Sequence, residues 1–410
     1  MDKASPHSAV KYLACDNVES VADPDPPATP DLEPGSLAWR ITVATLAHRF
    51  FGLIHDAETA KLIDQPADAG KTNAWPLAYF SLYLQKRGVP TGETAGMIRI
   101  LNEMERTGLL LRAGWWANPV MMGVPMFGQL YVSQGVRSAQ TDGHLWLSEV
   151  LGIELVIESY KAATFLISGG EGKPVGTALV LDRTHMVTNR HVIEGLVGPS
   201  AFDAGLPGPT VFDEAIEVHP SYKPPNAEPA SRPARIIAHR DIDVAVMEVQ
   251  FGENEHLPAV PGMAFREPKW YDDVCVFGYP YVPGLTERPI TVERGQIVNP
   301  ATEAAGVGGY PRQPTFLTSA IARPGNSGGP IVANDGRVIG LVVENARYGL
   351  TSASARDIGP GSGPKSARGQ GNTESDSAGA DSPPFYRGIP GSQVVRAIEE
   401  LGFEGLVVLE

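Results

Sequence analysis

Cysteine is nearly absent from this chain. Its 410 residues contain two, Cys15 and Cys275, far apart in sequence. A framework of several disulfides, the usual support of compact secreted domains, is therefore excluded. Long apolar runs are missing too. No stretch approaches the roughly 18–20 apolar residues of a membrane-spanning helix, and residues 1–35 hold no run of signal-peptide length. A reducing cytoplasm fits these three absences. Basic charge is also in short supply: 33 Lys and Arg stand against 47 Asp and Glu, a net charge of -14. That balance argues against broad binding to nucleic acid or anionic membrane, leaving room only for a small local basic face.

Glycine and proline, by contrast, are plentiful, at 45 and 36 residues. Together they favour short strands and many turns over a helical bundle. The length calls for two or more domains. Residues 1–35, with Asp23, Pro24, Asp25, Pro26, Pro27 and Pro30, read as a flexible tail. Residues 36–140 change character. Apolar positions recur at helical spacing through Leu37, Ile41, Leu46, Phe50, Phe51, Leu53 and Ile54, and again from Trp75 to Leu84. A third helix is expected over Thr91–Glu105, then strands at 109–111 and 129–132.

Three helices followed by a hairpin resemble a winged helix, a domain used by many DNA-binding regulators; Ile100 to Leu110 carries most of that resemblance. Between 36 and 112 the charge is about +2, a thin basic signature for a DNA reader. Docking of a protein partner or self-association is the expected role, with DNA contact as the alternative. Residues 141–159 read as a connecting helix and linker. From 160 to 410, short apolar runs punctuated by Gly, Pro or Asp read as an all-β barrel or sandwich. A Gly/Ser-rich insertion, 347–384, interrupts it as a flexible loop, and a helix over Ser392–Leu401 closes the chain.

Three segments carry chemistry. Gly325-Asn326-Ser327-Gly328-Gly329-Pro330 can expose a nucleophile on a tight turn with backbone amides uncovered beside it. Taken alone it could be a surface turn, but the apolar Ile331-Val332 that follows does not suit a free linker. Met186 to Val192 leads from a strand to His191, where a general base could be held at a cleft edge. Asp241-Ile242-Asp243, just before an apolar strand, offers two acids that could fix an imidazole's tautomer. Asp243, next to the strand, is preferred over Asp241. The other histidines, His185, His219 and His239 among them, are read as inconsequential. Gly169 to Pro174 lacks the hydroxyl residue of a phosphate-binding loop, and no Cys/His cluster has zinc-ligand spacing.

The order His, Asp, Ser is that of the chymotrypsin-type triad. Thr188-Asn189-Arg190-His191-Val192, Asp243-Val244-Ala245 and the Gly325–Gly329 motif resemble the protease domain of the HtrA/Do family, as do Val276 to Pro280 and Tyr386 to Pro390. The resemblance covers roughly 160–402. It implies a mainly β fold of two six-stranded barrels, preceded here by the small helical, winged-helix-like domain. It implies a serine endopeptidase in which Ser327 attacks, His191 moves the proton and Asp243 orients His191. Gly325 and Ser327 N–H groups would form the oxyanion hole, with no metal or cofactor needed. By the family's spacing, Ile321 would floor the specificity pocket and Val342 and Val343 would line a wall, suiting a small or medium hydrophobic side chain. The substrate would be a protein or peptide. With only about nine residues after the last helix, no PDZ domain is expected, and activation by partner binding or loop ordering is the natural means of control. Two other readings stay open: a latent protease-fold regulator and a DNA-binding transcriptional regulator.

Overall fold

Ser36 opens the first helix, accepting a hydrogen bond from Trp39 N–H, one of the backbone donors a helix start leaves unsatisfied. The computed structural model describes residues 32–66, 74–92, 94–116, 128–135, 142–168, 174–197, 210–220, 230–253, 255–304, 312–343 and 385–410. Most of the expected tail, the whole 347–384 insertion and the turn at 169–173 lie outside these residues.

Among the described residues, four helices precede the first hairpin rather than the three expected. They are α1 (Leu37–Phe50), α2 (Ala57–Leu62), α3 (Leu77–Lys86) and α4 (Thr94–Arg106). Leu53 and Ile54 lie beyond the end of α1 at Phe50 and are 52% and 78% exposed. Trp75–Pro76 (β1), Leu110–Trp115 (β2) and Gln129–Ser133 (β3) make an antiparallel sheet in the order β1-β3-β2. Trp39, Phe50, Phe51, Phe80, Tyr83 and Met104 are buried together beneath it.

The connecting segment is a 3-10 turn (Leu145–Leu147), α5 (Ser148–Leu151) and α6 (Ile153–Ala162). Gly152, at φ +77°, splits what the sequence suggested was one helix. α6 has two apolar faces. Leu155, with Leu147 and Leu151, belongs to the core of the N-terminal unit. Val156 and Tyr160 belong to the core of the β region, where Tyr160 O–H donates to Gly336 C=O at 2.8 Å. An ion pair between Arg40 and Glu154 reinforces the first contact.

The β region is two closed six-stranded barrels. The first comprises β4 (Thr164–Ser168), β5 (Pro174–Val180), β6 (His185–Thr188), β7 (Thr210–Pro220), β8 (Ala230–Ala238) and β9 (Ala245–Val249), with α7 (Arg190–Val197) after β6. The second comprises β10 (Asp273–Gly278), β11 (Thr291–Ala304), β12 (Gln313–Thr318), β13 (Pro330–Ala333), β14 (Val338–Val343) and β15 (Tyr386–Pro390), followed by α8 (Gly391–Glu400). Strand orders β4-β5-β6-β9-β8-β7 and β10-β11-β12-β15-β14-β13 are the same winding used twice. Closure removes the exposed strand edges that an open sheet would leave. β7, β8 and β11 were not foreseen from apolar runs. The observed face of β11 explains its case: only Ile297 is buried among its 14 residues.

Val274, Val276, Ile297, Phe316, Ile331 and Ile339 fill the second barrel. The larger cluster joins the first barrel to Phe277, Val332 and Leu341 of the second and to Val394 and Ile398 of α8. The two barrels and the last helix therefore meet in one apolar cluster beside the second barrel's own core, and the candidate site lies where the barrels meet.

Candidate active site

His191 occupies the first turn of α7, not a strand end as expected from sequence. β6 delivers it, pairing with β9 from His185↔Glu248 to Thr188↔Ala245. Asp243 sits just before β9, so the same strand pair brings the two residues opposite each other. One carboxylate oxygen of Asp243 accepts from His191 N–H at 2.9 Å, and the other lies 2.7 Å from His191 Nδ1. Two contacts from one residue fix both the ring and its backbone. Of the two candidate acids, Asp243 is the one bonded to His191; Asp241 is exposed, and its N–H donates to His239 Nδ1. Asn189 reinforces the pairing by donating to Asp243 C=O at 3.0 Å.

The Gly325–Gly329 loop belongs to the second barrel but is bolted to the first. Thr177 of β5 makes three bonds to this neighbourhood. Its N–H donates to Ser327 C=O at 2.9 Å. Its hydroxyl donates to Gly325 C=O at 2.6 Å and accepts from Tyr279 N–H at 3.1 Å. Gly176 makes the approach possible, because a Cβ there would lie 2.7 Å from the Val192 side chain and 3.1 Å from Ser327 C=O. One glycine's width thus separates the turn carrying His191 from the backbone of Ser327. Ser327 is 4% exposed.

Backbone conformation explains the glycines around it. Gly325 has φ +107°, and a Cβ would meet Tyr279 O at 2.3 Å; Gly328 has φ +82°, and a Cβ would meet Thr177 O at 2.2 Å. Asn326 between them is buried, and among the described residues neither polar atom of its carboxamide finds a hydrogen-bond partner.

The three residues expected to form a specificity pocket separate. Val342 has its side chain in the core of the second barrel, not on a pocket wall, while its backbone bonds Gly328 and Gly329. The side chains of a strand alternate between faces, so Val343 leaves that core and packs on the inter-barrel cluster. Ile321 is 39% exposed. Arg387 of β15 is the register partner of Val343. Burial lowers its pKa, and the nearby Asp243 charge opposes that shift.

Sequence reasoning did not find Thr177, Arg190, His239 or Arg387. Nothing in the local pattern marks a side chain that reaches across to another element. Among the described residues, no cluster of three or more His, Cys, Asp or Glu could hold a metal ion. No described helix is long and apolar enough to cross a membrane.

Residues 176–341 match the model of the trypsin-like peptidase domain. Over 184 residues the chain is 29% identical to chloroplastic Protease Do-like 1 of Arabidopsis thaliana, covering 44% of this chain and 35% of that protein. The chain thus spans about a third of the length of this relative. Among solved structures, the active form of the Rv3671c protease from M. tuberculosis is 18% identical with a TM-score of 0.40, over 62% of this chain and 88% of that one. The HtrA-type protease AlgW, solved with a tripeptide, is 16% identical with a TM-score of 0.38, over 61% and 62%. These overall superpositions are loose, and the assignment rests on the family match and the two closed barrels. Residues 176–341 are thus similar to the trypsin-like peptidase domain, and over 184 residues the chain is similar in sequence to a Do-like protease.

Proposed function

We propose that this protein is a serine endopeptidase in which Ser327, His191 and Asp243 form the catalytic triad. The observation that carries the reading is the doubly anchored His191–Asp243 pair, next to a glycine-framed Ser327. Asp243 accepts from His191 Nδ1–H, which leaves Nε2 as the base. Ser327 loses its proton to Nε2 and attacks the scissile carbonyl, and the N–H groups of Gly325 and Ser327 stabilise the oxyanion. The imidazolium then protonates the leaving amine. Water repeats the sequence on the acyl-enzyme and frees the carboxylate product. Asp243 remains ionised and stabilises the imidazolium throughout.

The family's spacing alone supports an apolar primary pocket for small or medium side chains, with Ile321 at its floor. The helical N-terminal unit is the natural place for an activating partner or self-association to act, in a reducing cytoplasm. Labelling with a fluorophosphonate probe tests the chemistry: we expect Ser327 to be modified and Ser327→Ala to lose both labelling and cleavage. A folded wild-type protein that never labels would overturn the peptidase reading. Comparing new protein N-termini generated by wild type and Ser327→Ala would identify substrates and the preferred residue together.

A further inference from the structure

We infer that His239 is a positioning residue for the triad, holding the loop that presents Asp243 and tying it to the C-terminal helix. This inference rests on the peptidase reading above and names a part of the machinery outside the triad. The loop runs from the end of β8 to the start of β9 and closes on itself: His239 N–H donates to Val244 C=O at 2.9 Å. The buried His239 ring fills it. Nδ1 accepts from Asp241 N–H at 3.1 Å and from Ile242 N–H at 2.9 Å. A backbone N–H can only donate, so Nδ1 presents its lone pair and the ring proton sits on Nε2. Nε2 is 2.8 Å from Glu400 Oε2 in the last turn of α8.

The outside of the loop is held by a different residue. Arg190 donates from its guanidinium to the carbonyls of His239 and Arg240 and pairs with Glu194. Arg190 directly precedes His191. One turn of α7 therefore sends its imidazole to Asp243 and its guanidinium to the loop carrying Asp243. With Arg190 outside, His239 inside and Glu400 behind, Asp243 has little freedom to shift along its 2.7 Å contact with His191. A displacement of about 1 Å in such an arrangement costs on the order of 100-fold in rate.

The test uses the full chain and the inactivation kinetics of a fluorophosphonate probe. Asn can place its Oδ1 where Nδ1 now sits but cannot reach Glu400; Gln can reach Glu400 but cannot accept the two loop N–H groups; Leu does neither. We expect His239→Leu and His239→Gln to lower the maximal inactivation rate by roughly 10–100-fold, with the probe's half-saturation concentration within about twofold. His239→Asn should recover most of the rate. Wild-type rates in His239→Leu, or equal losses in His239→Asn and His239→Gln, would overturn the inference. Should His239→Leu fail to fold, the Asn and Gln variants decide it. Amide hydrogen exchange at Asp241 and Ile242, measured in Ser327→Ala, separates this inference from the peptidase reading. Faster exchange with Leu or Gln than with Asn supports the brace even if no form labels, and equal exchange overturns it.

Discussion

Thr177 combines three bonds in one small residue, and the nucleophile loop depends on them. Thr177→Val keeps the shape but removes the hydroxyl, and with it the bonds to Gly325 C=O and Tyr279 N–H. We expect a loss of about 1–3 kcal/mol in stability, visible as a lower denaturation midpoint, with slower fluorophosphonate labelling of Ser327. Thr177→Ser should restore both. Gly328 sets a sharper limit. Its positive φ and the 2.2 Å approach of Thr177 O mean that Gly328→Ala must move backbone as well as the equally close Thr188 hydroxyl. Labelling should be abolished even in protein that remains folded. Cys275 makes the opposite case: burial pushes its thiol up to about 11, so it should resist alkylation until the second barrel unfolds.

At the scale of elements, the turn between β5 and β6 has its own pH signature. Burial pushes Asp182 upward, but bonds from the His185 ring and from the Thr184 and His185 N–H groups hold it down to about 2. His185 is raised, chiefly by its hydrogen bond to Asp182, with burial opposing. The depressed acid contributes stability above its unfolded value of about 3.9 and loses it as pH falls toward 2. The raised histidine contributes below its unfolded value of about 6.5 and loses it as pH climbs through its folded value. The pair therefore stabilises most between about pH 4 and 6.5. The Tm of the wild type should fall on either side of that window, and Asp182→Asn should flatten both flanks. Because the His185 ring also meets Phe403 edge-on at 5.1 Å, the change should reach the C-terminal turn.

Across the whole molecule, α6 is the joint. Leu155 belongs to the N-terminal core and Val156 to the β core, so neighbouring residues on one helix serve two units. Leu155→Ala should cost about 2–5 kcal/mol and lower the thermal transition of the helical unit. If the joint couples the two units, near-ultraviolet circular dichroism and Ser327 labelling should be lost in the same transition. Two separate transitions would show that the units unfold independently. Val156→Ala examines the other face by the same measurement.

The sequence by itself determined the fold class and marked the candidate site residues. Gly325 to Gly329, His191 and Asp243 were legible because glycine frames and acid-before-strand patterns are local, and because their order along the chain is informative. Strands with continuous apolar runs, such as Val338–Val343, were legible for the same reason. Tertiary structure alone decided the rest. β11 carries one buried residue in 14 and gives no periodic signal. Val342 and Val343 face opposite ways because a strand alternates its sides, and only the register of β14 says which side is core. His239 looked inconsequential because its partners are backbone amides two and three residues on and a carboxylate 161 residues away. Contacts of that kind depend on chain closure and barrel docking, which no local pattern encodes.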